Sequence, residues 1–217
     1  MSYASAITDL KKLMKHELFD IDPKDYRAKV KGESDRAAII MNGSMLERFL
    51  VKELTLKMQS INGDERSAVF QFEGPCGSFS NRIRMSQALG IIDRKTRKRL
   101  DLIREMRNVA AHAHANVDFE TPEIKGAVLA LFDAKHRDVL EVAPPTILRL
   151  IYEYLCTCLN LQISGKDQTE EIDTKLQELR EGALELGALP SREKSPQRKP
   201  RDRLERAEKG SPPEPPR

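Results

Sequence analysis

The stretch LDLIREMRNVAAHAHANVDF, residues 100–119, sets His112 and His114 within a few residues of Arg104, Arg107 and Asn108. An imidazole ordinarily titrates near pH 6.5, about where it can take or give a proton at neutrality. A guanidinium keeps its charge and offers a planar fork that matches phosphate oxygens. Around one phosphodiester the two groups suit RNA cleavage. The His activates the 2′-hydroxyl or protonates the leaving oxygen, and the Arg stabilises charge on the phosphorus centre. That reaction needs no metal and no cofactor. Arg107, Asn108 and His112 are the candidate catalytic residues, with Arg104 and His114 beside them. The spacing alone does not decide, because this chain is rich in arginine and about one Arg–His pair at such spacing is expected by chance.

Helix geometry is more informative. At 100° per residue, Leu100, Leu102, Ile103, Met106, Val109, Ala110, Ala111 and Ala113 fill one broad apolar arc, and Arg107 falls inside it. A lone charge there is costly, so Arg107 requires a partner. Asn108 and His112 lie four apart on the polar side. Arg107 and His112 are about 140° apart, too far to hold one phosphate on a straight helix. Either the helix ends or bends near Ala111, or a second subunit supplies the missing group. If the helix continues, His114 lies about 20° from Arg107.

The elements that position these residues read as helices throughout. A first helix is expected over residues 3–16, and DIDPKDYRAKVKGES is expected to be a connector with a turn or helix start at Asp22-Pro23. Ser34 reads as an N-cap, with Asp35 favouring the dipole of the helix that follows. That run, DRAAIIMNGSMLERFLVKELTLKM, carries Leu46, Leu50 and Leu54 at four-residue spacing, and Gly43 and Ser44 read as small residues that allow close helix packing. Gly74, Pro75 and Gly77 of FEGPCGSFS make a turn, after which Ser78 or Ser80 caps a helix over residues 81–89. The turn lacks the Gly-Lys-Ser/Thr end of a phosphate loop. Gly90 reads as a left-handed stop, Asp93 as the cap of the helix carrying Arg107, and Thr121 with Pro122 as another helix start. PPTILRLIYEYLCTCLNLQI is the most apolar segment and is expected to be central. DQTEEIDTKLQELREGALEL reads as an outer amphipathic helix. The fold class is therefore all-α, a compact helical bundle, with residues 1–30 as N-terminal helix and connector, 31–187 as the domain and 188–217 as a tail.

Composition sets the outer limits. Apolar residues make up 39% and aromatics only 5%, with no Trp, so the core must come mainly from aliphatic side chains in helices. Residues 188–217 hold nine Lys/Arg against five Asp/Glu, so the tail carries +4 and the body −1, which together give the net +3. With seven of the 12 prolines the tail is expected to be disordered. The body is no general electrostatic binder of nucleic acid. Its best basic helix start, residues 94–99, has no paired helix at the spacing of a helix-turn-helix. Cys156 and Cys158 sit about 200° apart on a helix, which disfavours a shared metal or a disulfide, and with Cys76 they read as buried, reduced thiols. No membrane-spanning run and no signal core is present, so a cytoplasmic protein is expected.

The segments SDRAAIIMNGSMLERFL and FEGPCGSFSNRIRMSQALGIIDRKTRKRLDLIREMRNVAAHAHANVDFETPEI resemble the bacterial mannitol operon repressor-like (MltR-like) family over residues 34–124. The order is an acidic helix, a Gly-Pro-x-Gly-Ser turn, a Leu-Gly break and then Arg-Asn-x-x-Ala-His. That last segment is similar to the Arg-x4-His signature of the HEPN superfamily, which includes metal-independent ribonucleases and non-catalytic relatives. The resemblance implies an all-helical fold with Arg107, Asn108 and His112 at the motif positions. It also implies Glu47 as the partner of Arg107, and roles in binding or structure for Ser78 and Arg82. The sequence departs from the pattern in the small Val109 and Ala110, where a bulky residue is expected before Ala-His, and in the extra His114. The implied function is transcriptional repression through a protein partner, as a homodimer; the alternative is a HEPN-type ribonuclease acting on RNA, and a third reading leaves Arg107 purely structural.

Overall fold

A proline at the start of a helix forfeits no hydrogen bond, since the first amides of a helix have no partner there. Pro23 opens α1 (Pro23–Lys31) in this way. The segment expected to be a connector is thus a nine-residue helix, fixed because Val30 is buried and its carbonyl accepts from Arg149 Nη2 at 2.7 Å. The structure, a computed structural model, describes residues 5, 8, 23–166 and 169–185. The helix expected over residues 3–16, apart from two positions, and the tail lie outside the described residues.

Ser34 accepts from the Ala37 amide at 3.2 Å and begins α2 (Asp35–Lys57), as its residue type predicts. Next come α3 (Gly63–Phe70), α4 (Phe79–Ala88), α5 (Arg94–His112) and α6 (Pro122–Ala130). A 3₁₀ turn (Ala134–His136) leads into α7 (Arg137–Val142), and α8 (Pro145–Ile163) and α9 (Thr169–Glu185) complete the domain. Among the described residues there is no strand; the protein is all-α. Helix α3, which hydrophobic periodicity missed, is announced by a reciprocal capping box between Asn62 and Glu65.

Helix α2 lies between α5 and α8 and also packs on α4. Its Ile39, Leu46, Leu50 and Leu54 are fully buried, so this helix shares the centre with α8, which was expected to be central. Helix α8 is deeply packed through Leu148, Tyr152, Leu155 and Leu159, with Leu150 left outside. The Tyr152 ring lies 5.6 Å from that of Phe119. Arg149 ties α8 to the start of α2, donating to Asp35 Oδ1 at 2.8 Å and to the Glu33 carbonyl at 2.9 Å. Cys76, Cys156 and Cys158 are buried and form no disulfide among the described residues, as expected. Among the described residues no helix is long and apolar enough to cross a membrane.

Candidate functional site

Helices α2 and α5 run antiparallel, with Gly43 against Arg107 and Arg36 Nη2 donating to the Ala113 carbonyl at 2.8 Å. The predicted close packing at Gly43 is specific. A Cβ there would lie 2.9 Å from Arg107 Cβ and 3.0 Å from its Cγ. Glycine therefore lets the Arg107 stem lie flat on α2. One turn further along the same face of α2 stands Glu47.

Arg107 Nη2 donates to Glu47 Oε2 at 3.0 Å, the pairing expected of a charge in the apolar arc. The other oxygen, Glu47 Oε1, accepts from Arg82 Nη1 at 2.5 Å. Arg82 sits on α4 and also donates from Nε to the Cys76 carbonyl at 2.8 Å and from Nη2 to the Gly77 carbonyl at 3.3 Å. One carboxylate thus bridges α2, α4 and α5 and braces the turn before α4. The turn itself is closed by the Cys76 amide on the Val69 carbonyl at 2.9 Å. Burial pushes the Cys76 thiol above its ordinary pKa although Arg82 opposes this, so Cys76 is a packing residue rather than a nucleophile. Ser78 is the N-cap of α4, accepting from the Asn81 amide at 3.1 Å. That capping bond gives its hydroxyl a structural use.

The remaining motif residues fall on two sides of α5. Arg107 Nη1 reaches Asn108 Oδ1 at 3.4 Å. Arg104 pairs with the neighbouring Glu105, while its Nε is buried with no hydrogen-bond partner among the described residues. The side chain of Arg107 is 30% exposed, so the expected burial is only partial. His112 is exposed at the last helical position. Helix α5 ends there, because Ala113 turns to extended backbone (φ −64°, ψ 135°). His114 consequently does not continue the helix and does not line up beneath Arg107, contrary to the expectation for an unbroken helix. Val109 is 50% exposed and Ala111 is exposed as well. The apolar arc is narrower than its hydrophobic residues imply, because α2 and α4 cover only the strip from Leu100 and Ile103 to Ala110.

Two features escaped the sequence reading. Arg36, in the first turn of α2, fixes the end of α5 beside His112. Arg99 is buried to 8% exposure and donates from Nε to the Leu131 carbonyl at 2.9 Å. The signal for Arg99 was available, since it lies only about 40° from Ile103 around the helix. The other caps stand as predicted: Gly90 has φ +69° and Asp93 accepts from the Thr96 amide at 2.7 Å. Thr121 occupies the N-cap of α6 without capping it, because its hydroxyl pairs with Asp118 instead.

The arrangement offers a guanidinium half neutralised by a carboxylate, an amide beside it, and an exposed imidazole about 140° further around the helix axis. It can hold an anion or a partner's carboxylate on the Arg104, Arg107 and Asn108 side. Among the described residues, no cluster of three or more His, Cys, Asp or Glu is gathered to hold a metal ion. Comparison of the chain with protein-family models, with curated proteins and with solved structures returns no match.

Proposed function

We propose that this chain is a regulatory protein of the MltR-like kind, acting through contact with a protein partner and neither reading DNA nor cutting RNA. The observation that carries this reading is the geometry of Arg107. A guanidinium that stabilises a phosphorane must direct its charge at the substrate. Here Nη2 faces Glu47, and α5 stays helical through His112, about 140° away around the axis. One subunit therefore does not aim both groups at one phosphate.

The basic start of α5 supports the same reading. Lys95 pairs with Asp133, Arg97 with Gln87 and Asp101, and Arg99 is buried. Too few free cations remain for a recognition helix. Phe72, 95% exposed in the braced turn, and Val109 on α5 are apolar side chains suited to a protein contact, and a homodimer is the unit this reading takes. The alternative, a HEPN-type ribonuclease, is favoured by Asn108 and His112 lying four apart on the outward side of α5, where a second subunit brings the missing cation.

Incubation with single-stranded and structured RNAs in EDTA separates the two. The regulatory reading expects intact RNA at micromolar protein. Cleavage that leaves a 2′,3′-cyclic phosphate and is abolished by His112→Ala overturns it. His112 is the right probe because its side chain is exposed and its removal disturbs no packing.

A further inference from the structure

The basic run at the start of α5 frames an open groove of about 810 Å³ between α5 and the segment after α6. Its charged lining is Arg94, Lys95, Lys98 and Arg99 against Asp93 and Asp133, four cations and two anions, a local excess of +2. Asp93 is engaged as the helix cap, and Asp133 pairs with Lys95 at 2.9 Å. Arg94 and Lys98 are exposed on the rim.

Arg99 is the anomaly. More than nine-tenths of it is buried, yet among the described residues only its Nε has a hydrogen-bond partner, the Leu131 carbonyl. No carboxylate lies within ion-pair distance of Arg99 among the described residues. Its two terminal amino groups are not shut away from water, and they open toward the groove that the side chain lines. A guanidinium whose stem is buried and whose terminal amino groups open into a groove presents a planar fork that matches the oxygens of a phosphoryl group. The first amides of α5 add a partial positive charge at the same end.

We infer that this groove binds a small molecule bearing a phosphoryl group, with the Arg99 fork on the phosphoryl oxygens and Arg94 and Lys98 closing over them. The excess of +2 favours a dianion over a single carboxylate. The volume falls in the range of small-molecule sites, about 300–1,000 Å³, and exceeds what inorganic phosphate alone fills. Arg99 precedes Arg107 by eight residues, about 12 Å along the helix, so this site is separate from the Glu47 cluster and does not depend on the reading given to it.

Isothermal titration calorimetry of the full chain at matched ionic strength tests this, using inorganic phosphate, glycerol 3-phosphate, succinate and a short single-stranded RNA. The expected result is binding of both phosphates, the ester more tightly, and no more than weak binding of succinate. Arg99→Lys, which keeps the charge but loses the fork, weakens both phosphates about tenfold. The rim pair Arg94→Ala with Lys98→Ala weakens them about three- to tenfold with an unchanged melting temperature, and carries the test if Arg99→Lys fails to fold. His112→Ala binds as wild type. The inference is overturned if neither phosphate binds at millimolar concentration, if the folded groove variants at Arg99 or at Arg94 and Lys98 bind as wild type, or if succinate or RNA alone binds.

Discussion

Glu47→Ala removes the carboxylate that joins three helices, and the structure sets the size of the effect. Breaking a fully buried ion pair from one side costs about 3–5 kcal/mol, whereas an exposed pair contributes about 0–1 kcal/mol. The side chains of Glu47, Arg82 and Arg107 are 15%, 16% and 30% exposed, closer to the buried limit but not at it. After truncation Arg82 keeps the Cys76 and Gly77 carbonyls, while Arg107 regains water on its open side. We therefore expect a loss of about 2–3 kcal/mol, which for a chain of this size lowers the melting temperature by about 5–10 °C. Double-mutant cycles with Arg82→Ala and Arg107→Ala apportion the loss. The Arg82 coupling should be the larger, because its contact is 2.5 Å rather than 3.0 Å and its guanidinium is less hydrated. A melting shift below about 2 °C, or an Arg107 coupling larger than that of Arg82, refutes the bridging role assigned to Glu47.

Gly43→Ala should destabilise the protein by about 1 kcal/mol, since the gain in helix propensity is opposed by the new contact with the Arg107 stem; a rise in melting temperature sinks the close-approach argument. Asp173 on α9 is held below the usual carboxylate pKa, first by the hydrogen bond from Lys135 at 2.6 Å, with burial opposing and His136 at 3.3 Å assisting. A depressed carboxylate stabilises the fold above its unfolded pKa, about 3.9, and that contribution is lost as pH falls through the lower folded value. Amide protection in α9 should therefore fall as pH drops below about 4, and Asp173→Asn should make the dependence shallower; an unchanged profile refutes the link.

The caps were legible because each is a local arrangement of a side chain and an amide three residues on. Ser34, Ser78 and Asp93 are the instances. The Glu47–Arg107 pair, spanning 60 residues, followed from a different logic. A charge in an apolar stripe must be compensated, and the family resemblance supplied the acid. What the sequence did not disclose is how wide the covered strip is. Val109 and Ala111 are apolar but exposed, because α2 lies along α5 as far as Ala113 yet covers only the face that carries Ile103, Arg107 and Ala110. Nor did it disclose the end of α5. The run Ala-His-Ala-His contains neither Gly nor Pro, and the helix stops where Arg36 takes the Ala113 carbonyl.

Arg99 and Arg107 show why two arginines in one stripe have different chemistry. Both project toward the core side of α5, eight residues apart. Arg107 crosses α2, where Glu47 supplies a full negative charge, so its guanidinium is used inside the protein. Arg99 crosses the segment after α6, which offers a backbone carbonyl and only distant carboxylates. Burial draws its pKa down, and Asp133, Asp93 and Asp173 act against this through space without hydrogen bonding to it. A carbonyl dipole compensates a buried charge less completely than a carboxylate does. The terminal amino groups of Arg99 stay available to whatever enters the groove, whereas the charge of Arg107 is already largely compensated. The resemblance points to Arg107 and His112, whereas the guanidinium without an ion-pair partner among the described residues, and with it the stronger case for a ligand, lies two turns earlier on the same helix.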